Sequence, residues 1–326
     1  MIDKFPTISI VMPVYNEENK IEKCLKSIRE QNYPQDKIEI VFVDDDSTDK
    51  SLEIAKKYKI TYVRNGKHDY DIGKSLGIKK AKGEYIMFLD GDNILTRKDW
   101  IKKIMSPLLN NSEIIGAQPI WFKYNPKDSF FDRYCTLYGI TDPLTIYLKK
   151  RDRLMLWETK WKITSSKDFG DYFLVKFNKK NMPTIGSVGF TIKKEYLLKT
   201  NYDPAFSHLD CIQDLIGKGY NTFAMVKLDI IHLHSRNFED FIGKLKRNFS
   251  IFIRDFDKRR YTWDSPLKDK ILATIIMATF IIPFYHSFKG YIKIKDPAWF
   301  AHPFICFAVI VTYLKIFIFW KLKIKR

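Results

Sequence analysis

Three acidic stretches in the first hundred residues carry side chains that could do chemistry. They read "YNEE" (15–18), "DDDSTD" (44–49) and "DGDN" (90–93), and each follows a short apolar run. Carboxylate oxygens accept hydrogen bonds or ligate a hard cation, and in one pocket they repel one another unless a cation or donor groups compensate. Asp90 and Asp92 would point to the same side of an extended chain. The alternative is ordinary turn chemistry, a capping turn ahead of a predicted helix at 97–108.

The elements around these stretches alternate between strand and helix. Apolar runs predict strands at 8–14, 38–44, 60–64 and 85–89. Helical spacing and caps predict helices at 19–31, 47–58 and 73–82, the second opened by a Ser or Thr cap near Asp49. This alternation favours an α/β fold with a parallel sheet and helices on both faces. Such sheets bind ligands beyond the carboxyl ends of their strands, where the acidic stretches lie.

The ordered motifs "SIVMPVYNEE", "IVFVDDDSTDKS" and "GIKKAKGEYIMFLDGDN" resemble glycosyltransferase family two. The stretch "SHLDCIQDLIGKGY" is similar to the family less clearly, so the resemblance covers residues 7–120 closely and 184–235 loosely. It implies the GT-A fold, which is a Rossmann-like, mixed and mostly parallel sheet with helices on both faces. It also implies an inverting transfer from a nucleotide diphosphate sugar, with Mg²⁺ or Mn²⁺ as the cofactor.

The resemblance assigns a role to individual residues as well. The donor would contact residues at the strand ends and at one helix start: Pro13, Tyr15, Asn16, Glu17, Asp44, Asp45, Lys74, Asp90 and Gly91. Asp90 and Asp92 would hold the metal as an Asp-x-Asp pair, and Asn93 would assist from behind them. In "IIHLHSRNF" a histidine, His234 or its neighbour His232, would approach the metal or the diphosphate; a core or surface histidine is the alternative.

The catalytic base is implied on a helix facing the acceptor, where it would take the proton from the attacking hydroxyl. Asp210 is the best match, and Asp214, one helical turn later, is its rival. The chain departs from the family at Asp46, where glycine is usual, and in "KSLG", where Lys74 and Leu76 stand in a stretch that often reads Ala-Arg-Asn. An acceptor that is already an ionised lipid phosphate would need no strong base.

The last quarter of the chain is basic and apolar. Residues 236–326 hold 18 Lys and Arg against 7 Asp and Glu, which is +11 of the net charge of +18. The segments 271–288 and 298–320 are nearly free of charge, and 241–263 mixes aromatics with a cationic face. Lengths of 18 and 23 residues suit membrane spans, with a shallow hairpin or interfacial helices as alternatives. We find no nucleic-acid docking motif, so we expect a membrane lipid as the partner and no nucleic acid.

These observations predict three regions. Residues 1–235 form the glycosyltransferase domain, with a nucleotide-binding half (1–120) and an acceptor-side half (121–235). Residues 236–264 form a basic amphipathic juxtamembrane helix, and 265–326 a two-helix membrane region. The expected acceptor is a lipid-linked or cell-envelope glycan at the cytoplasmic membrane face. The alternatives are a polyprenyl-phosphate glycosyltransferase and a nucleotide-sugar-binding protein without transfer activity.

Overall fold

The computed structural model describes residues 5–261 and 265–324, and it divides the chain into two compact units. We call Met1–Lys123 with Thr164–His232 the sheet unit, and Tyr124–Ile163 with Leu233–Arg326 the helical unit. The predicted domain boundaries at 120, 235 and 264 stay predictions. The compact units instead group an internal segment, Tyr124–Ile163, with the C-terminal region.

Ten strands of the described residues form one mixed sheet in the sheet unit. They are β1 (Ile8–Val14), β2 (Ile38–Asp44), β3 (Thr61–Arg64), β4 (Tyr85–Phe88), β5 (Asn93–Leu95), β6 (Gly116–Phe122), β7 (Ser166–Asp168), β8 (Tyr172–Lys176), β9 (Thr191–Lys193) and β10 (Thr222–His232). Their order is β3-β2-β1-β4-β9-β6-β10-β8-β7, and β5 pairs with β10. The four strands predicted from the sequence run parallel to one another, which confirms the α/β fold.

The first strands are buried on both sides, as a parallel sheet covered by helices requires. Every residue of β1 is buried, and all but one of β2. Because parallel strands end at the same edge, the segments after β1, β2 and β4 emerge together. The alternation of apolar runs with helices therefore positions the three acidic stretches.

In the described parts of the chain, twelve α-helices connect or cover these strands or form the helical unit. They are α1 (Ile21–Arg29), α2 (Ser51–Lys56), α3 (Tyr70–Lys80), α4 (Trp100–Asn110), α5 (Phe130–Tyr138), α6 (Leu144–Tyr147), α7 (Lys194–Leu197), α8 (His208–Gly217), α9 (Phe238–Arg254), α10 (Leu267–Ala278), α11 (Ile281–Lys293) and α12 (His302–Ile324). The helical unit contains α5, α6 and α9 to α12.

Two helix starts differ from the sequence-based expectation. The helix predicted at 47–58 begins only at Ser51, without a Ser or Thr cap; Asp49 instead accepts a hydrogen bond from the Ser51 N–H (2.9 Å). The helix predicted at 73–82 begins three residues earlier, at Tyr70, because the Asp69 side chain caps it by accepting from Asp71 and Ile72 N–H groups. This earlier start places Tyr70 beside the predicted site.

The C-terminal apolar segments also differ in part from expectation. The segment 271–288 is not one helix, because Phe280 adopts a left-handed backbone (φ 62°) and separates α10 from α11 by a bend of 66°. Pro283 then lies in the first turn of α11, where its missing N–H is tolerated. Pro297–Leu322 is long and apolar enough to cross a membrane (mean hydropathy 2.1). The predicted juxtamembrane helix appears as α9, while residues 262–264 and the last two of the basic tail lie outside the described residues.

Candidate active site

The loops after β1 and β2 are joined by hydrogen bonds. Asn16 adopts a left-handed backbone (φ 54°), and its side-chain oxygen accepts from the Thr48 N–H (2.8 Å). The Glu17 N–H donates to the Ser51 hydroxyl (2.7 Å). Of the predicted donor-binding residues, Asn16 and Glu17 therefore hold this loop pair, while Pro13 is buried within β1 and the Tyr15 side chain is 51% exposed. The joined loops form one rim along the sheet edge.

The three consecutive acids after β2 have three separate environments. Asp44 is buried and accepts from the Ser47 N–H (3.1 Å). Asp45 accepts from the Asn65 amide (2.8 Å) and the His68 N–H (2.9 Å). Burial raises the pKa of the Asp45 carboxyl, although the His68 hydrogen bond opposes the shift. Asp44 and Asp45 are therefore candidates for contact with a nucleoside.

Asp46 has the left-handed backbone (φ 58°) that explains why glycine suits this position. Its carboxylate forms a bidentate pair with Arg64 of β3 (2.6 and 3.1 Å), which holds the pKa of Asp46 below its usual value. Because the parallel pairing of β2 and β3 aligns Asp44 with Arg64, the cation lies within reach of this turn. The charge of Asp46 is thus neutralised by Arg64, away from the proposed site.

Asn93 fixes the turn between Asp90 and Asp92. Its fully buried side chain accepts from the Asp90 N–H (2.9 Å) and donates to the Asp92 carboxylate (2.9 Å). A Cβ at Gly91 would lie 3.3 Å from Glu17 Cβ and from Ile21 Cδ1, so a larger residue would have to displace these neighbours slightly. The close approach of Gly91 to a ligand stays a prediction. The Asp–Gly–Asp turn is a rigid, locally hydrogen-bonded element.

His232 lies next to the Asp–Gly–Asp turn, at the end of β10. Antiparallel pairing of β5 with β10 sets His232 opposite Asn93, and the His232 Nε2 lies 3.7 Å from an Asp92 oxygen. His234, the histidine preferred in the sequence-based prediction, belongs to the helical unit, where its Nδ1 meets the Ser235 hydroxyl (2.7 Å). Which histidine lies beside Asp92 depends on the pairing of β5 with β10, and β5 is a three-residue strand that the sequence pattern did not predict.

Asp90 faces the first turn of α3. The Tyr70 hydroxyl donates to the Asp90 carboxylate, and desolvation of this hydroxyl together with the Asp90 charge raises the Tyr70 pKa above its usual value, while the residue as a whole is 42% exposed. The Lys74 ammonium lies over the Tyr70 ring, 4.1 Å from its centroid, and is fully buried without a hydrogen-bond partner in the described part of the chain. Burial lowers the Lys74 pKa, while the Asp90 charge opposes that shift. Lys74 is an unsatisfied cation beside the acidic turn.

Three carboxylates converge around the start of α1. Burial first, and then the charges of Asp92, Asp90 and Glu17, raise the pKa of the buried Cys24 thiol well above its usual value. Lys20 bridges two of these acids, with its ammonium 3.1 Å from Glu17 and 3.9 Å from Asp92. Nowhere in the described residues do three or more His, Cys, Asp or Glu side chains already lie close enough together to hold a metal ion by themselves. The oxygen donors of Asp90 and Asp92 and the His232 imidazole nevertheless suit Mg²⁺ or Mn²⁺, which complete their coordination with phosphate oxygens and water.

Helix α8 carries both candidate bases. Asp210 lies in its first turn and is buried, and the Ser207 hydroxyl caps this turn by accepting from the Asp210 N–H (3.4 Å). Asp214 accepts from the Asn201 N–H (3.1 Å), which ties it to the preceding loop. Just ahead of the helix, the Phe206 N–H donates to the Asp71 carbonyl of α3 (2.7 Å). Helix α8 thus starts next to the helix that contacts Asp90.

Two glycines between β8 and β9 have a structural reason. Gly186 and Gly189 both have positive φ (118° and 84°), which favours glycine, and Cβ atoms there would lie 3.0–3.1 Å from the side chains of His208 and Trp100. A shallow cavity of about 500 Å³ lies elsewhere in the sheet unit, lined by residues 96–99 ahead of α4 and by Asn32, Lys123 and Asp229, and no predicted site residue lines it. The site is defined by strand ends rather than by that cavity.

Known proteins are similar to this chain in sequence and in fold. Residues 9–163 match the family model described as glycosyl transferase family 2. The chain is 27% identical over 298 residues to an uncharacterized glycosyltransferase of Haemophilus influenzae, which covers 89% of this chain and 98% of the relative. It is 28% identical over 140 residues to glycosyltransferase AglE of Haloferax volcanii, covering 41% and 46%. The chain spans less than half the length of several curated relatives that it matches.

The fold is similar to that of a mannosyltransferase from Pyrobaculum calidifontis, solved in complex with GDP-Man and Mn²⁺. The TM-score is 0.55 at 14% identity, covering 96% of this chain and 87% of the other. Such similarity supports the GT-A fold implied by the sequence motifs. The chain therefore has the GT-A fold, and its residues 9–163 are similar to family 2 glycosyltransferases.

Proposed function

We propose that the protein is a metal-dependent, inverting glycosyltransferase that moves a sugar from a nucleotide diphosphate sugar to an acceptor. The observation that carries this proposal is the cluster at the carboxyl edge of β1, β2 and β4, where Asp92 lies within 4 Å of both Lys20 and His232. The arrangement combines anionic metal ligands with nearby cations, which is what a diphosphate leaving group needs. Inversion is implied by the family resemblance.

The metal would be held by Asp90 and Asp92, with His232 rather than His234 as the nitrogen donor. When bound, Mg²⁺ or Mn²⁺ supplies charge that neutralises the diphosphate leaving group. Asn93 orients the Asp92 carboxylate and keeps the turn closed. The mannosyltransferase with the similar fold was solved with Mn²⁺, which supports a divalent cation here.

The donor would lie along the rim formed by the loops after β1 and β2. Asp44 and Asp45 present acceptor oxygens to the hydroxyls or base of a nucleoside, because a carboxylate only accepts. The exposed Tyr15 ring lies 5.8 Å from the His68 ring, which extends this rim with aromatic surface. Lys74, which lacks a hydrogen-bond partner among the described residues, would meet a phosphate oxygen as a point charge.

Asp210 is the base that we favour over Asp214. Asp214 already accepts a hydrogen bond that fixes the loop before α8. Asp210 lies in the first turn of α8, close to the point where Phe206 is hydrogen-bonded to α3. In this role Asp210 would accept the proton of the acceptor hydroxyl as the new glycosidic bond forms. A phosphate acceptor would already be ionised, and the base would then be dispensable.

For the acceptor we propose a lipid-linked or cell-envelope glycan at the cytoplasmic face of a membrane. Support comes from the exposed apolar side chains of α10, α11 and α12 and from the excess of lysine and arginine after residue 235. A polyprenyl phosphate is the second candidate, because the same basic region would attract a phosphate group.

The test is a panel of nucleotide sugars incubated with the full chain, Mn²⁺ and membrane lipids. We expect transfer or slow hydrolysis of one donor, abolished by a chelator and restored by Mn²⁺. Binding of a donor without any turnover would favour the alternative of a silent nucleotide-sugar-binding protein.

The base is tested with a matched pair, Asp210→Asn and Asp214→Asn. We expect Asp210→Asn to slow transfer to a hydroxyl acceptor roughly 10²–10⁴-fold, the usual contribution of a general base, while donor binding is unchanged. Asp214→Asn should be close to wild type in rate. Equal rates for Asp210→Asn and wild type would instead support a phosphate acceptor.

A further inference from the structure

The longest helix of the helical unit has two different faces. Seven large apolar side chains of α12 are between 38% and 66% exposed: Phe304, Phe307, Leu314, Phe317, Ile318, Phe319 and Leu322. At 3.6 residues per turn all of them except Phe317 and Phe319 fall within an arc of about 80°, and those two widen the exposed surface near the C-terminal end of the helix. This exposed stripe runs along almost the whole length of α12. Lys315 lies beside it, and the long aliphatic stem of a lysine lets its ammonium reach water from such a position.

The opposite face of α12 packs against the rest of the helical unit. His302 is fully buried, and its two ring nitrogens meet the hydroxyls of Tyr134 and Tyr147, each at 2.9 Å. Eleven residues later, the Tyr313 ring stacks on Phe249 of α9 (4.0 Å), and its hydroxyl donates to Asp142 (2.6 Å). The helix is therefore held against polar protein groups from residue 302 to residue 313.

Helix α9 limits how deeply α12 can enter a membrane. Its outer face exposes Lys246, Arg247 and Arg254, while Phe249 lies against Tyr313. Charged groups are costly in the centre of a bilayer, so α9 must stay at the aqueous or headgroup level. Since α9 packs on one face of α12, the residues up to Tyr313 cannot be surrounded by hydrocarbon.

The remaining part of α12 is too short to cross a membrane. Leu314–Ile324 contains 11 residues. At 1.5 Å per residue it spans about 16 Å, roughly half of the 30 Å hydrocarbon core. A crossing by α12 would therefore require the polar contacts of His302 and Tyr313 to enter the bilayer as well.

The bent pair α10 and α11 continues the same exposed surface. Ile271, Ile275, Ile281 and Phe288 are each more than half exposed. The Phe280 ring at the bend lies 6.0 Å from Phe304 and 5.8 Å from the Phe307 ring, so the pair joins α12 at its exposed stripe. Exposed lysines flank the surface at positions 268, 289, 293, 295 and 321.

We propose that α10, α11 and α12 insert side-on into a single leaflet, so that the chain is held by a membrane without crossing it. This proposal rests on the membrane association in the proposed function, and it replaces the two spans predicted from the sequence. A lipid surface fits better than a second copy of the chain, because exposed apolar side chains spread over three helices and surround the end of α12. The flanking lysines suit anionic headgroups, each contributing roughly 1 kcal/mol near such a surface.

Sidedness provides the decisive test. The four native cysteines are buried, so single reporter cysteines can be read against a low background. Lys321→Cys and, as the control in the sheet unit, Lys67→Cys are made in the full chain and labelled with a membrane-impermeant maleimide in sealed inverted vesicles. We expect both to label equally with and without detergent. Protection of Lys321→Cys until detergent is added, with Lys67→Cys labelled throughout, would overturn the proposal.

Depth is measured with spin labels at Phe304, Leu314 and Leu322 on vesicles containing anionic lipid. Side-on insertion predicts similar accessibility to oxygen, and similar exclusion of a polar nickel reagent, at all three positions. A maximum of depth at Leu314 with two shallow ends would indicate a crossing helix. Absence of vesicle binding would also refute the proposal, and a separate measurement of donor hydrolysis would still report on the transferase activity.

Discussion

Asp92→Asn separates the roles of charge and shape at the Asp–Gly–Asp turn. The amide has the size of the carboxylate and keeps one oxygen for the Asn93 donor (2.9 Å). The mutation removes an attraction to Lys20 at 3.9 Å, which is about 4 kcal/mol at an effective dielectric of 20. It also removes repulsion from Asp90 and Glu17, which offsets part of this loss.

The expected effect on the metal is larger. Loss of a group that only supports a ligand weakens metal binding by about 10–100-fold, so loss of an anionic ligand should reach at least about 100-fold. At a Mn²⁺ concentration 100 times its dissociation constant, binding stabilises the wild type by about 2.7 kcal/mol. For a unit of this size the melting temperature should rise by roughly 5–10 °C. For Asp92→Asn the same Mn²⁺ concentration should give a shift of only about 1 °C.

The assay is thermal unfolding with and without Mn²⁺, followed by transfer with the preferred donor. Asp46→Asn is the matched control, because it is the same substitution after β2 of the same sheet, but its carboxylate pairs with Arg64 at the surface. That variant should keep the full Mn²⁺ shift. A full Mn²⁺ shift in Asp92→Asn would show that Asp92 does not ligate the metal, and the proposed metal site would then be wrong.

Three further predictions concern the site and the core, and two of them use matched variants. His232→Asn should weaken Mn²⁺ binding about 10–100-fold and His234→Asn should not, as measured by the same thermal shift. Burial lowers the pKa of Lys74 in the folded protein, so the unfolded chain binds this proton more tightly and the free energy of unfolding should rise with pH toward about 10.4. The Lys74→Met variant should lose that rise, and it should bind donor more weakly in titration calorimetry. Gly77→Ala would set a Cβ 2.5 Å from a methyl carbon of β1 and should cost about 1–3 kcal/mol in urea unfolding, whereas Gly243→Ala, with open space around it, should gain up to about 1 kcal/mol.

Local pattern was sufficient for the parts of the fold that depend on neighbours in sequence. The apolar runs of β1, β2 and β4 are each bounded by polar turns, so their positions and the acidic residues that follow them were correctly predicted. Parallel pairing then brings these ends to one edge without further information. The association of the Asp–Gly–Asp turn with the loops after β1 and β2 was predictable for this reason.

Features that depend on distant residues were not predictable in the same way. The strand β5 has three residues, and it exists because β10, more than 100 positions later, pairs with it. Its register determines which histidine meets Asp92, and two histidines separated by one residue look equivalent in the sequence. The Asp46–Arg64 pair is similar, since nothing near Asp46 in the chain announces its cation.

The break at Phe280 shows the same limit in the C-terminal region. Composition alone gives one apolar segment at 271–288, because it does not record backbone conformation. A left-handed phenylalanine is disfavoured locally and persists only when surrounding contacts compensate. Here the Phe280 ring contacts Phe304 and Phe307, two residues of a different helix. The number of helices in this region was therefore a tertiary property.

The net charge of +18 and the acidic site are compatible because electrostatic neutrality is local. At physiological ionic strength exposed charges are screened beyond about 8 Å, so the basic C-terminal region cannot balance carboxylates in the sheet unit over longer distances. Among the described residues, the Lys20 ammonium pairs with Glu17 and Asp92, and Lys74 adds a buried ammonium whose protonation is disfavoured by burial. These two ammonium groups face three carboxylates, those of Glu17, Asp90 and Asp92. The imbalance is the electrostatic argument for a divalent cation at this turn, and it holds whatever the charge of the rest of the chain.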